Sequence, residues 1–142
     1  MYFDDIRLHT QITIPPIVIE KQKMLDFARL YDNIPLHTDE AYAQTTLFGR
    51  LIAPGVMSFM SVWSKYLEVD IFGKELIAGM STKIEWYHPV YADDVLYGRA
   101  EVTDRIERSE KNGIVEITIR AYNQENVLVL SDVMQALVKR NV

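Results

Sequence analysis

The chain has 142 residues, 49% of them hydrophobic and 25% charged, which suits one globular domain with a substantial core. Its 15 Lys and Arg against 20 Asp and Glu leave a formal net charge of -5, so the basic footprint of a nucleic-acid partner is missing, although a local patch for a phosphorylated ligand is not excluded. There are no cysteines, which removes disulfides, thiolate nucleophiles and sulfur-ligated metals and leaves stability to packing.

The first residues, Met1-Tyr2-Phe3-Asp4-Asp5, are acidic where a secretion signal needs a basic start and an apolar run, and no apolar stretch is long enough to span a bilayer. A cytoplasmic location with no membrane partner is expected. No repeat, low-complexity tract or Pro/Gly/Ser linker divides the chain, so residues 1–142 are expected to form a single domain. After an extended piece from Gln11 to Ile19, the segment Glu20 to Tyr31 places Met24, Leu25, Phe27, Ala28, Leu30 and Tyr31 on one side, as an amphipathic helix does. Asp32-Asn33-Ile34-Pro35 reads as the turn that stops it, because the residue before a proline disfavours the α region. Thr38 is a plausible cap for a short helix from Ala41 to Thr45.

Pro54-Gly55 opens a helix through Met57, Phe59, Met60, Val62, Trp63, Tyr66 and Leu67 that is apolar on nearly every side and therefore predicted to be central and buried. Ser58, Ser61 and Ser64 recur every three residues, predicting one narrow side that a sheet can approach closely. After Gly73 come four extended segments: about Leu76 to His88, Val95 to Ile106, Ile114 to Asn123 and Val127 to Val138. In the third, Val115, Ile117, Ile119 and Ala121 alternate with Glu116, Thr118, Arg120 and Tyr122. Glu110-Lys111-Asn112-Gly113 reads as a tight hairpin turn with positive φ at Asn-Gly. A long buried helix with a largely antiparallel sheet is an α+β architecture.

Of three histidines, His37 is distinguished by Asp32 five residues before it, across a turn that Pro35 stiffens. An imidazole and a carboxylate can share the protons of one water molecule, which is general acid/base chemistry. By themselves, an Asp and a His after a helix more commonly serve in caps and turns, and spacing alone favours that structural reading. Pro54-Gly55 adds helix-start N–H groups of the kind that polarise a carbonyl oxygen, although the same two residues also serve simply to begin a helix.

Asp32-Asn33-Ile34-Pro35-Leu36-His37, then Ala41 and Ala43, Phe48-Gly49, and Ile52-Ala53-Pro54-Gly55 resemble the MaoC-like dehydratases, which include the (R)-specific enoyl-CoA hydratases. Trp86-Tyr87-His88-Pro89-Val90-Tyr91-Ala92-Asp93-Asp94 and the closing segment Asn123 to Val138 continue the likeness. The resemblance implies a hotdog fold, an antiparallel sheet wrapped round a long central helix, assembled as a homodimer or larger homo-oligomer. It implies an acid/base pair at Asp32 and His37 that adds water to a 2-enoyl thioester, with the Gly55 N–H binding the thioester oxygen. Three positions depart from the family pattern. Ile34 stands where Asn is usual and so lacks a polar group that helps order the site; Pro54 stands where many hydratases have His; Trp63 stands where some members have a small polar residue near the acyl channel, which predicts a narrower or shorter pocket.

His88 and His9 are read as structural, and scattered histidines offer no metal-ligand spacing, so no metal is expected. Met57, Met60, Trp63 and Tyr66 suit core packing and pocket lining alike, and Asp93-Asp94 is read as a turn. No separate cofactor is expected, because the coenzyme A moiety arrives with the substrate. The sequence therefore predicts a lyase acting on an acyl-CoA or other acyl thioester. Thioester hydrolysis, or a non-catalytic acyl-binding partner subunit, remains as an alternative.

Overall fold

The computed structural model describes residues 1–142. In chain order the elements are strand β1 (Gln11–Val18), helices α1 (Lys21–Tyr31), α2 (Pro35–Thr38), α3 (Glu40–Gln44) and α4 (Gly55–Val69), then strands β2 (Leu76–Trp86), β3 (Val95–Glu107), β4 (Asn112–Tyr122) and β5 (Leu128–Lys139). The strands form one sheet in the order β1-β3-β4-β5-β2, and every neighbouring pair is antiparallel. The extended segments expected from alternation thus fall within a residue or two of the observed strands. Pro15 and Pro16 are tolerated because β1 is an edge strand, and its register with β3 slips between Ile14 and Ile17, where those prolines cannot donate to the ladder.

Alternation decides what the sheet buries. Val115, Ile117, Ile119 and Ala121 of β4 are fully buried and join Leu96, Ala100 and Val102 of β3 and Leu130, Ala136 and Val138 of β5 in one core. Met57, Phe59, Val62 and Tyr66 of α4 and Met24 of α1 close that core from the helical side. The fold is the hotdog architecture, a sheet wrapped round the long helix α4. No helix is long and apolar enough to cross a membrane.

Four local expectations are corrected. Pro35 does not merely stop α1; it occupies the first position of α2, where its missing N–H costs nothing and its fixed φ suits the helix. The cap of α3 is Asp39, whose carboxylate accepts from the Tyr42 N–H, because Thr38 is already the last residue of α2. Asn112 and Gly113 lie inside β4 and neither has positive φ; the turn is made by the residues before them. Gly113 is needed for space, since a Cβ there would stand 2.5 Å from the Phe3 ring.

The fourth concerns α4, which is buried on one face only: Val56, Met60, Leu67 and Val69 are exposed. The serines do not make one close side either. Ser58 is buried and Ser64 exposed, because a spacing of three falls short of a full turn of 3.6 residues and winds the row out of the core. Ser61 and Ser64 instead donate to the carbonyls of Met57 and Ser61.

Candidate active site

The site forms where the C-terminus of α1, the single turn α2, the start of α4 and the end of β2 meet. Asp32 caps α1, its N–H donating to the Ala28 carbonyl, and its own carbonyl accepts the N–H of Ile34. The chain then turns through Pro35 into α2, which carries His37 back toward Asp32. The gap between His37 Nε2 and Asp32 Oδ2 is 3.3 Å, with the imidazole buried and the carboxylate partly open to solvent.

The opposite ring nitrogen, His37 Nδ1, lies 2.8 Å from the Ile52 carbonyl oxygen. A carbonyl only accepts, so Nδ1 carries the hydrogen and Nε2 is left as the nitrogen that exchanges a proton with whatever lies before it. Ile52 is itself held by long-range pairing: it bridges Tyr91, and the next residue, Ala53, donates to the Val90 carbonyl. The tautomer of His37 is therefore set by a loop fifteen residues away in sequence.

Both side chains open into a cavity of about 490 Å³ whose wall includes Gly55, Ser58, Trp86, Tyr87 and His88. Gly55 is the first residue of α4, so its N–H has no partner within the helix and lies at the positive end of the helix dipole. On its other side, the Gly55 carbonyl accepts from Trp86 Nε1 at 2.9 Å, and a Cβ on Gly55 would stand 2.6 Å from the indole. A side chain at this position would have to displace that indole. Pro54, buried behind Gly55, is the N-cap of α4; its carbonyl accepts from the Ser58 N–H and hydroxyl.

The residues expected to cooperate are only partly brought together. Asp32, His37 and Gly55 share the cavity. Ile34 stands outside it, with its side chain half exposed and its backbone carbonyl accepting from His37 N–H and the Thr38 hydroxyl. The position where Asn is usual thus orders α2 through its backbone. Trp63 does not narrow this cavity: two turns further along α4, it lines a second one. Met57 and Tyr66 are core, and Met60 faces solvent. Asp93 and Asp94 form a turn, Asp93 with positive φ and Asp94 accepting from the Tyr91 N–H.

Sequence reasoning missed part of the wall of the cavity that Asp32 and His37 share. His88, read as structural, lines the cavity with its Nδ1 2.8 Å from the Pro89 carbonyl, and the backbone N–H groups of Tyr87 and His88 both reach the Val129 carbonyl. Only the likeness in Trp86 to Asp94 marked this segment.

The family model described as MaoC like domain matches residues 7–123. An uncharacterized protein, YdeM of Bacillus subtilis, is 27% identical over 141 residues, covering 99% of this chain and all of that one. Among solved structures, a monoamine oxidase regulatory protein from Archaeoglobus fulgidus superposes with a TM-score of 0.95 at 28% identity, covering 100% of this chain and 96% of its own. An (R)-hydratase from A. caviae involved in PHA biosynthesis superposes with a TM-score of 0.75 at 27% identity, covering 96% and 98%.

Proposed function

Because this chain belongs to the MaoC-like domain family, we propose that it is a hydratase-type lyase that adds water reversibly across the double bond of a 2-enoyl-CoA or other enoyl thioester. The observation that carries the reading is the 3.3 Å approach of His37 Nε2 to Asp32 Oδ2 at the wall of a cavity that also holds the start of α4. One water molecule before this pair loses a proton to one member as its oxygen bonds to the β-carbon of the enoyl group. The other member delivers a proton to the α-carbon. The carbon–carbon π bond is consumed, one C–O and one C–H bond form, and no net proton is taken up.

Negative charge gathers on the thioester oxygen as the β-carbon is attacked. The Gly55 N–H, unused by the helix and at its positive end, is the donor that stabilises this charge. Dehydration follows the same path in reverse. The reading also makes the protein a homodimer or larger homo-oligomer. Strand β2 is an edge strand exposed along nearly its whole length, and Ile77, Met80 and Trp86 on it, with Val56 and Met60 on α4, leave an uncovered apolar surface.

The decisive measurement is loss of enoyl absorbance with crotonyl-CoA and with longer and branched enoyl-CoAs, together with the stereochemistry of the product. Asp32→Asn and His37→Ala are expected to keep the fold and lower turnover on the order of 10²- to 10⁴-fold, as for loss of a general acid or base. Unchanged turnover in both variants would refute the assignment. Release of free thiol instead of hydration would identify a hydrolase, and binding without turnover across the panel a non-catalytic subunit.

A further inference from the structure

The outer face of the sheet, turned away from α4, carries charge that the protein does not balance. Side chains alternate across β3 and β4, so Ala100, Ile119 and Ala121 point into the core while Arg99 and Arg120 stand on the opposite face, both exposed. Strand register sets these two arginines directly opposite each other. Facing Cβ atoms of an antiparallel pair are about 4.5–5.5 Å apart, and like charges so placed repel and destabilise the sheet. Their neighbours across the sheet, Thr13 of β1 and Ser131 of β5, are neutral.

The glutamates of this face are engaged elsewhere. Glu85 of β2 pairs with Lys83 and accepts from the Tyr87 hydroxyl, and Glu116 of β4 accepts from Thr103 and Gln135. Glu101 of β3 accepts from Gln11 and lies 3.8 Å from His9 Nδ1. Arg140 holds Asp4 and Arg105 donates to the Phe3 carbonyl, but the guanidinium groups of Arg99 and Arg120 make no ion pair and no hydrogen bond within the protein. Both line one polar cavity of about 180 Å³, shared with Glu101, Thr118 and Tyr122. A water molecule takes about 30 Å³, so the space suits one tetrahedral anion with part of its hydration. The Tyr122 ring is stacked on Tyr97 with centroids 5.8 Å apart; the Tyr97 hydroxyl is tied to Asn126, whereas that of Tyr122 is free.

We propose that Arg99 and Arg120 form a binding site for a phosphate group, carried by a small phosphate monoester or by inorganic phosphate, on the outer face of the sheet. Each guanidinium presents a planar fork of N–H donors that matches phosphate oxygens, and two forks on facing strands can hold one anion between them. A dianion neutralises both charges and turns their repulsion into a shared attraction. Along the strands the arginines lie between Glu101 and Tyr122, so repulsion from Glu101 directs the anion toward Tyr122 and its hydroxyl. This is a local positive patch on a chain of net charge -5. None of its residues lines the Asp32/His37 cavity, so the site stands whether or not the protein is a hydratase.

Calorimetric titration with inorganic phosphate, in a phosphate-free buffer at a pH where the dianion predominates, tests it. The wild type is expected to bind one phosphate with a Kd below about 1 mM. Arg99→Gln and Arg120→Gln should each weaken binding at least tenfold, while Arg29→Gln, which removes an exposed arginine of α1, leaves it unchanged. Thermal melting gives a second readout. Phosphate is expected to raise the wild-type Tm and not that of Arg120→Gln, and without phosphate the variant should melt at or above the wild type, because the facing charges are gone. Absence of wild-type binding, equal affinity in both variants, or a phosphate-free Arg120→Gln that melts below the wild type would overturn the proposal. So would sodium chloride at matched ionic strength raising the wild-type Tm as much as phosphate, since that is screening alone. Titration with AMP separates the sources. Affinity at least tenfold above that of inorganic phosphate upholds the site with a nucleotide stacked on Tyr122, and equal affinity upholds it for the phosphate group alone.

Discussion

At the scale of single residues, the spacing of Asp32 and His37 by itself favours a capped turn, and only the family resemblance singles the two out, whereas the groups that orient them leave no mark in the sequence at all. The Ile52 carbonyl that fixes the proton on His37 Nδ1 is an ordinary backbone atom, and no side-chain pattern announces it. Gly55 is legible as a helix start, but the lack of room for a side chain there comes from Trp86, thirty-one residues away. Gly55→Ala is therefore expected to displace the indole, lower stability by about 1–3 kcal/mol as overpacking does, and lower kcat/KM with it; thermal melting and turnover both at wild-type values would contradict this. Asp132 carries a pH signature. Its folded carboxyl, pushed up by burial, titrates above the unfolded value of about 3.9, so the native state binds more protons and wild-type stability falls as pH rises through the interval between the two values. Urea denaturation of the wild type and Asp132→Asn is expected to show the variant gaining relative stability from about pH 4 upward, then levelling off; a difference independent of pH would count against it.

Elements were legible where their periodicity is local. The α1 span follows from a 3.6-residue pattern and β4 from clear alternation, while the other strands read as extended segments and α4 as a helix apolar on nearly every side; Pro15-Pro16 and Gly113 show why boundaries and turns are less legible. Asn-Gly usually signals a hairpin through positive φ, yet here the glycine answers to the ring of Phe3, a contact across more than a hundred residues. The single turn α2 was read as a loop because four residues carry no periodicity. It brings His37 to within 3.3 Å of Asp32, and Pro35 at its first position limits the unfolded chain. Pro35→Gly is expected to cost about 0.4–1 kcal/mol in equilibrium unfolding and to lower kcat more than it raises KM, because the His37 to Asp32 geometry is loosened while the cavity remains. An unchanged kcat would show that α2 is positioned by its tertiary contacts alone.

For the whole molecule, the uncovered edge β2 and the exposed stripe of α4 predict self-association. Sedimentation velocity at micromolar concentration is expected to give at least twice the chain mass, and Ile77→Lys, which places a charge on that edge, to weaken assembly at least tenfold; a wild-type monomer would remove the prediction. The α+β architecture, the apolar character of α4 and the strand alternation were determined by the sequence itself, because each depends on residues close enough in the chain for backbone geometry to relate them. Which face of α4 is buried, that Trp63 lines a different cavity from His37 and that His88 joins the wall of the first were decided only by tertiary structure. These depend on strand register and helix-on-sheet packing, which couple residues tens of positions apart and leave no periodic trace along the chain.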